Sequence, residues 1–436
     1  MVRFLIYLLF FFTPAAGSLP GRAWSILTGL DVTLDTPLRA LLVPSTLIGL
    51  LIIALRAAER PDPDSQAVPT PVRRPYQAPL LLWFVAATVS VVANDPSPEG
   101  WSLYVAGFIS GLVVYVALRD VTVDAALYRG IFVSLSLGAL IPLVHAGIEV
   151  YGALGIPSLA TLFVARSMMT LMAGYYRVFF GHPTVIAAWL VLVLPPLLSL
   201  ALDPRQNAPR RFLFGVTATL CAVHLAVTFT RGAILAVMLG SALIVILRRQ
   251  QRGVVALAAI TTLTFGVFSY LQLDALSTGA ERLVDAALVR ESDRSVLDRK
   301  EAIEIGWTLF EAHPFAGIGP TETLTRHPLT STHQFNVQEA AELGLLGLVA
   351  SIWLVIAALP PLLWPFRRAP DEETMMRFTL VCGPMLYLLY NVAASAVLTV
   401  SVSNCWAIML VGFLALSENR IIADDAKALS APPGIE

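Results

Sequence analysis

The sequence has few charged residues and few cysteines. Only 14% of its 436 residues are Asp, Glu, Lys or Arg, whereas a soluble domain carries about 25%. The net charge of −1 argues against a basic surface of the kind that binds nucleic acid. The three cysteines, Cys221, Cys382 and Cys405, all lie in apolar runs. Their number and spacing fit neither a disulfide framework nor a zinc site.

The glycine patterns of nucleotide-binding proteins are also missing. The sequence contains neither a P-loop nor a Rossmann fingerprint, which argues against an ATP-driven pump. Apolar residues instead make up 57% of the chain. Many of them form runs that approach the roughly 20 residues needed to cross a bilayer. The sequence therefore predicts an all-α polytopic membrane protein.

Twelve apolar runs are candidate membrane spans, although the first is short. The longest polar interval, residues 273–342, then falls between spans nine and ten. We predict spans over 1–272 (helices one to nine), a loop over 273–342, spans over 343–416 (helices ten to twelve) and a polar tail over 417–436. The runs lie near residues 3–17, 38–55, 77–93, 101–118, 124–147, 183–202, 211–229, 232–247, 253–272, 343–365, 376–393 and 396–416.

The distribution of Arg and Lys predicts the orientation of the spans. With a cytoplasmic N-terminus, 18 of the 29 Arg and Lys residues lie on the cytoplasmic side. Six of the other eleven lie in the 273–342 loop, and long loops follow this rule poorly. We therefore expect both termini in the cytoplasm and the loop on the opposite face. The first run also resembles a signal peptide, but the charge count favours a retained helix.

The interval from Arg299 to Gly344 holds three of the six histidines. Its first part predicts an amphipathic helix from Ser295 to about Glu311, lying along the membrane surface. Arg299 falls on the same face as Ile303 and Phe310, so we expect it to point inward. An inward guanidinium needs an anion, which is either a structural carboxylate or a bound phosphate.

Three other features have two interpretations each. Arg231 lies between two spans, where it either serves function or reaches the lipid headgroups by snorkelling. The stretch from His313 to Pro320 ends a helix, and its Gly317 and Gly319 form either an anion-binding nest or a plain turn. His333 is either a general base or an interfacial histidine held by hydrogen bonds.

A resemblance to a known family bears on these alternatives. Thr230-Arg231-Gly232 at the head of a span resembles the Ser/Thr-Arg-Gly signature of the O-antigen ligase and polymerase superfamily. The resemblance covers about residues 215–365, and the N-terminal half matches only in topology. Gln334 and Val337 depart from the family, where Asn and Leu are usual. The order that resembles the family's periplasmic loop and next helix is Arg299, Trp307, His313-Pro314, Gly317-x-Gly319, His333, Gln338, Glu342 and Gly344.

The resemblance implies a metal-independent, inverting glycosyl transfer at the periplasmic face of a bacterial inner membrane, without a cofactor. The donor would be a glycan on undecaprenyl diphosphate, and the acceptor a hydroxyl of the lipid A core. Arg231 and Arg299 would hold the diphosphate, and His333 would deprotonate or orient the acceptor hydroxyl. The other substrate-binding residues implied are His313, Gly317, Gly319, Gln338 and Glu342.

Three alternatives remain open at this stage. A polymerase that joins lipid-linked repeat units, including exopolysaccharide units, would use the same residues. A protein Ser or Thr is a third acceptor within the superfamily. A lipid-linked oligosaccharide flippase belongs to another class, and it predicts charged residues along the middle of the spans. The spans are nearly free of such residues, which favours an enzyme.

Overall fold

The computed structural model describes part of the chain. Within that part the chain forms twelve α-helices, one π-helical segment and two short strands. The described residues are 1–17, 44–58, 74–96, 101, 104–153, 183–227, 230–248, 294–320, 322–323, 334–367, 372–394, 405–419 and 421–422. The helices are α1 (Val2–Gly17), α2 (Pro44–Ala58), α3 (Gln77–Asn94), α4 (Ser110–Leu118), α5 (Ala125–Ala153), α6 (Pro183–Ala201), α7 (Ala208–Val227), α8 (Arg231–Arg248), α9 (Arg294–Ala312), α10 (Phe335–Arg367), α11 (Glu372–Ala394) and α12 (Cys405–Glu418). The π-helical segment Tyr104–Ile109 leads into α4, and the strands are β1 (Val123–Asp124) and β2 (Ile421–Ile422).

Helices lie at eleven of the twelve predicted spans, and the ninth, 253–272, falls outside the described residues. Three helical stretches are long and apolar enough to cross a membrane: Gln77–Asn94, Ala125–Val144 and Phe335–Pro360. Shorter apolar helices occur at six further places, with 10–17 residues each. The all-α membrane class is thus supported, while the number of twelve spans stays a prediction.

Helix α1 packs inside the bundle. Its side chains Ile6, Leu9 and Phe10 are buried, and α5 lies directly against it. A Cβ atom at Gly138 of α5 would come within 2.1 Å of the Phe11 carbonyl oxygen, so only glycine allows this approach. The first apolar run therefore belongs to the hydrophobic core of the structure.

Polar contacts join the ends of several helices at one end of the bundle. We call it the arginine-rich end, because it holds Arg3, Arg205 and Arg377. Both the Tyr76 backbone N–H and the Tyr115 hydroxyl donate to the Glu418 carboxylate. The Asn419 side-chain amide donates to the Leu118 carbonyl over 2.8 Å. These bonds tie the last described helix to α3 and α4.

The two ends of the described chain meet at this same place. Arg3 forms an ion pair with Asp124 at 2.9 Å, and Asp124 lies opposite Ile422 in the parallel pairing of β1 with β2. Arg377 donates to the Ser417 carbonyl. The arginine-rich end thus contains the start of α1 and the residues that follow α12.

The helix directions place the start of α8 at the opposite end. Arg205, in the connection between α6 and α7, pairs with Glu372 at the start of α11, close to Arg377. Helix α7 therefore begins at the arginine-rich end. Its 20 residues extend about 30 Å away from that end. Arg231, four residues after the last residue of α7, opens α8 at the far side of the bundle.

Candidate functional site

The predicted amphipathic helix is present as α9, from Arg294 to Ala312. Ala302 and Gly306 are buried, whereas Trp307 is 39% exposed. Arg299 is exposed, so the expectation that it points inward with the apolar stripe is wrong. The buried residues Ala302 and Gly306 lie only about 60° and 20° around the helix from Arg299 at 100° per residue. Arg299 therefore shares their face but is not itself covered. Within the described ranges no carboxylate pairs with Arg299.

Helix α10 is broken near its start. Gly344 has φ 69° and ψ −158°, which is not a helical conformation. The break divides the helix into a first segment, 335–343, and a second segment from 345 onward. The predicted span 343–365 begins at this break, and the first segment lies within what the sequence predicted as loop. Backbone groups on both sides of Gly344 are therefore released from the helical pattern.

The turn from His313 to Pro320, which we call the glycine turn, docks onto this break. The Ile318 N–H donates to the Ala341 carbonyl over 3.0 Å, and the Gly319 N–H donates to the Glu342 carbonyl over 3.1 Å. In the opposite direction, the Leu345 N–H donates to the Pro314 carbonyl over 2.8 Å. All three bonds join main chain to main chain, so none of them depends on a side-chain donor or acceptor.

These bonds bear on the two interpretations of the turn. The amides of Ile318 and Gly319 donate to carbonyls of α10, and that of Gly317 donates to the His313 carbonyl over 3.0 Å. Amides bound in this way cannot also cradle an anion. The arrangement therefore favours the plain turn for Gly317 and Gly319. The His313 side chain is exposed at the end of α9.

The first segment of α10 has a buried polar face. Gln338, Glu339 and Glu342 are fully buried, and Thr323 is nearly so. The Gln338 amide and the Thr323 hydroxyl both donate to the Glu342 carboxylate. A compact polar cluster thus lies beneath the glycine turn, since the turn binds the carbonyl of the same Glu342.

Helix α3 forms a further wall of this region. The Trp83 indole N–H donates to Glu339 Oε2 over 2.5 Å, and the Ser90 hydroxyl donates to the Glu342 carbonyl over 2.6 Å. Asn94 donates weakly to the Ala316 carbonyl over 3.4 Å. Trp83 precedes Ser90 in α3, and their partners Glu339 and Glu342 follow in the same order in α10. The first segment of α10 therefore runs parallel to α3.

Sequence reasoning missed Trp83, Ser90, Asn94 and Glu339. The spacing of Trp83, Ser90 and Asn94, at i, i+7 and i+11, places all three on one face of a helix. Ser90 and Asn94 are also polar residues near the end of an otherwise apolar run. That pattern was available in the sequence as a signal for a polar contact.

Two members of the predicted catalytic set are only partly described. Arg231 is the first residue of α8, and the Thr230 carbonyl accepts the N–H groups of Ala233 and Ile234 at 3.1 and 3.0 Å, as at a normal helix start. Its backbone lies at the end of the bundle opposite the arginine-rich end, as do Asn94 and the glycine turn. His333 lies outside the described residues. The meeting of Arg231, Arg299 and His333 therefore stays a prediction.

In the part of the chain that the structure covers, no three His, Cys, Asp or Glu side chains are grouped as metal ligands. The site described so far consists of the exposed Arg299, the glycine turn and the buried polar face beneath it. A family model described as O-Antigen ligase matches residues 216–352. The match confirms the resemblance to the O-antigen ligase and polymerase superfamily.

The matched range runs from α7 into α10, so it contains every residue of the predicted site, from Arg231 to Glu342. Helix α3, with Trp83, Ser90 and Asn94, lies outside it. No curated protein matches the chain. The family match therefore covers the part of the site that carries the arginines, and α3 is joined to that part through contacts seen in the structure.

The Trp83–Glu339 contact leads to a stability prediction. Trp83→Phe removes the indole donor to Oε2, while Glu339 Oε1 already has no hydrogen-bond partner among the described residues. A buried carboxyl left without a donor costs about 1–3 kcal/mol. We expect Trp83→Phe to lower the thermal unfolding temperature in detergent. Trp353→Phe, at a position 44% exposed, is the matched control, and equal stability of both variants would contradict the prediction.

Proposed function

We propose that the protein is a membrane glycosyltransferase of bacterial surface-polysaccharide assembly. It transfers a glycan from undecaprenyl diphosphate to a hydroxyl acceptor, and the lipid A core is the acceptor we favour. The observation that carries this proposal is the O-Antigen ligase match over 216–352. That range contains Arg231, Arg299 and His333, the three residues to which we assign chemistry.

The proposed reaction is a single displacement at the anomeric carbon. The acceptor oxygen forms a bond to that carbon as the bond to the diphosphate oxygen breaks, so the configuration inverts. Arg231 and Arg299 bind the diphosphate, because planar guanidinium groups match phosphate oxygens in bidentate geometry. They also stabilise the negative charge that develops on the leaving group. His333 takes the proton of the acceptor hydroxyl.

The remaining predicted residues shape the site in this proposal. Gln338 and Glu342 belong to the buried polar face, and in this proposal they hold the first segment of α10 in place beneath the glycine turn. His313 lies exposed at the end of α9, the helix that carries Arg299. Gly317 and Gly319 contribute through the docked turn.

We place the arginine-rich end in the cytoplasm and the opposite end in the periplasm of a bacterial inner membrane. The support is the excess of Arg in short loops, since cytoplasmic loops carry most of the Lys and Arg. Both termini then lie in the cytoplasm. The loop 273–342 and the start of α8 lie at the periplasmic face, where donor glycans and acceptor would meet.

The alternative is a polymerase that joins lipid-linked repeat units, because the same residues serve both reactions. Purified protein supplied with undecaprenyl-diphosphate glycan and a choice of acceptors tests the proposal. A glycan linked to lipid A core supports a ligase, and a lengthened lipid-linked glycan supports a polymerase. Transfer to a protein Ser or Thr would identify the third acceptor class. Movement of intact donor across vesicles without any new glycosidic bond would support a flippase and contradict both enzymes.

The proposed chemistry also predicts independence from divalent cations. Two arginines supply the positive charge that a metal ion supplies in other transferases, so activity should survive an excess of EDTA. The measurement is the transfer rate of the purified protein before and after chelation, with Mg²⁺ added back as the control. Loss of transfer on chelation and recovery with Mg²⁺ would contradict the assignment of the two arginines.

A further inference from the structure

We propose that Gly317 and Gly344 are positioning residues, which hold α9, and with it Arg299, at a fixed place against α10. This inference rests on the proposed function, since it assigns a role to Arg299. The glycines themselves need not touch the substrate. They act through the glycine turn, which joins the end of α9 to the break in α10.

The close approach of two backbones is the first observation. A Cβ atom at Gly317 would lie 2.2 Å from the Glu342 carbonyl carbon, and one at Gly344 would lie 2.4 Å from the Phe315 carbonyl oxygen. Real Cβ atoms do not approach backbone so closely, and no side-chain rotation relieves either contact. Both glycines also have positive φ, 65° and 69°, which L side chains rarely adopt. Alanine at either position must therefore push the turn away from α10.

The narrow buried face of α9 is the second observation. Ala302 and Gly306 are buried, and the residues around them are half-buried or exposed. Helix α9 ends at Ala312 and continues directly into the glycine turn. Arg299 lies thirteen residues before that end, about 20 Å along the helix axis. A change in the angle of the turn is therefore magnified at Arg299.

Gly317 should therefore affect the transfer rate although it has no side chain that takes part in the reaction. A displacement of about 1 Å at a reacting group costs about 100-fold in rate. Gly317→Ala should therefore lower kcat for glycan transfer by about 10- to 100-fold at equal amounts of folded protein. Gly215→Ala is the matched control, because the nearest atom to its added Cβ lies 4.0 Å away.

Two readouts separate positioning from a purely structural role. The first is a double-mutant cycle with Arg299→Lys, which retains part of the activity. If Gly317 acts through Arg299, Gly317→Ala causes less loss in the Arg299→Lys background than alone. The second is the distance between spin labels at Lys300→Cys and Leu346→Cys, both exposed positions, which should shift in Gly317→Ala and stay constant in Gly215→Ala.

Asn94→Ala keeps the test decisive should Gly317→Ala fail to fold. It deletes the side-chain bonds to the Ser90 carbonyl, within α3, and to the Ala316 carbonyl, in the glycine turn. It should lower kcat about threefold, with the same non-additivity toward Arg299→Lys. If Gly317→Ala folds and has the wild-type kcat per folded protein, the inference is overturned. If only Asn94→Ala folds, a wild-type kcat in that variant overturns it. Losses that are fully additive with Arg299→Lys overturn it as well. Failure of the proposed function is distinct, because Arg299→Ala would then itself be active.

Discussion

Arg231→Ala and Arg299→Ala should each reduce glycan transfer by about 100- to 1,000-fold, the loss typical when one preorganised group that stabilises transition-state charge is removed. Each arginine binds the departing diphosphate, and alanine leaves its negative charge without a donor. Membrane insertion should be unchanged, because Arg299 is exposed and Arg231 stands at the very start of a helix. The measurement is transfer rate at matched membrane levels.

Neighbouring cations provide the controls for these variants. Lys300→Ala removes a positive charge one residue from Arg299, on the same exposed helix. Arg210→Ala removes a half-buried arginine near the arginine-rich end. Both should transfer glycan at nearly the wild-type rate, whereas Arg299→Lys should fall between wild type and alanine because it keeps charge but loses bidentate geometry. Normal activity in both Arg231→Ala and Arg299→Ala would contradict the assignment of these arginines to the diphosphate.

His333→Ala should reduce transfer by about 100- to 10,000-fold, the range for removal of a general base. The proposed imidazole takes the acceptor proton, a role that we assign to no other group of the predicted site. Donor binding should remain, since the arginines hold the diphosphate. The measurement therefore pairs the transfer rate with the binding of lipid-linked donor to the purified variant.

His327→Ala is the matched control for His333, since it lies six residues earlier in the same loop. We expect it to retain activity. Loss of donor binding together with transfer in His333→Ala would reassign the histidine to the diphosphate. Unchanged transfer in His333→Ala would remove it from the mechanism.

The helices were predictable because apolar runs of span length leave few alternatives to a helix in a membrane. The amphipathic α9 was predictable from its periodicity, and the end of that helix from Pro314 and the glycines that follow. The exposure of Arg299 was not predictable. Periodicity shows which residues share a face of the helix, but it does not show which part of that face a neighbouring helix covers. In the structure Ala302 and Gly306 on that face are buried, whereas Arg299 on the same face is exposed.

The break at Gly344 and the contribution of α3 depend on contacts between distant parts of the chain. Gly344 stands inside a helical apolar pattern, where an isolated glycine does not by itself predict a break. Its positive φ is explained by the glycine turn, which the sequence places more than twenty residues earlier. The pairing of Trp83 with Glu339 joins residues 256 positions apart, a separation over which no local pattern acts.

The most direct test of the account is an experimental structure of the protein with an undecaprenyl-diphosphate glycan bound. We predict that the guanidinium groups of Arg231 and Arg299 contact the diphosphate and that His333 lines the same cavity on the sugar side. All three should lie at the end of the bundle opposite Glu418. A structure in which these side chains share no cavity, or lie at opposite ends of the bundle, would contradict the account.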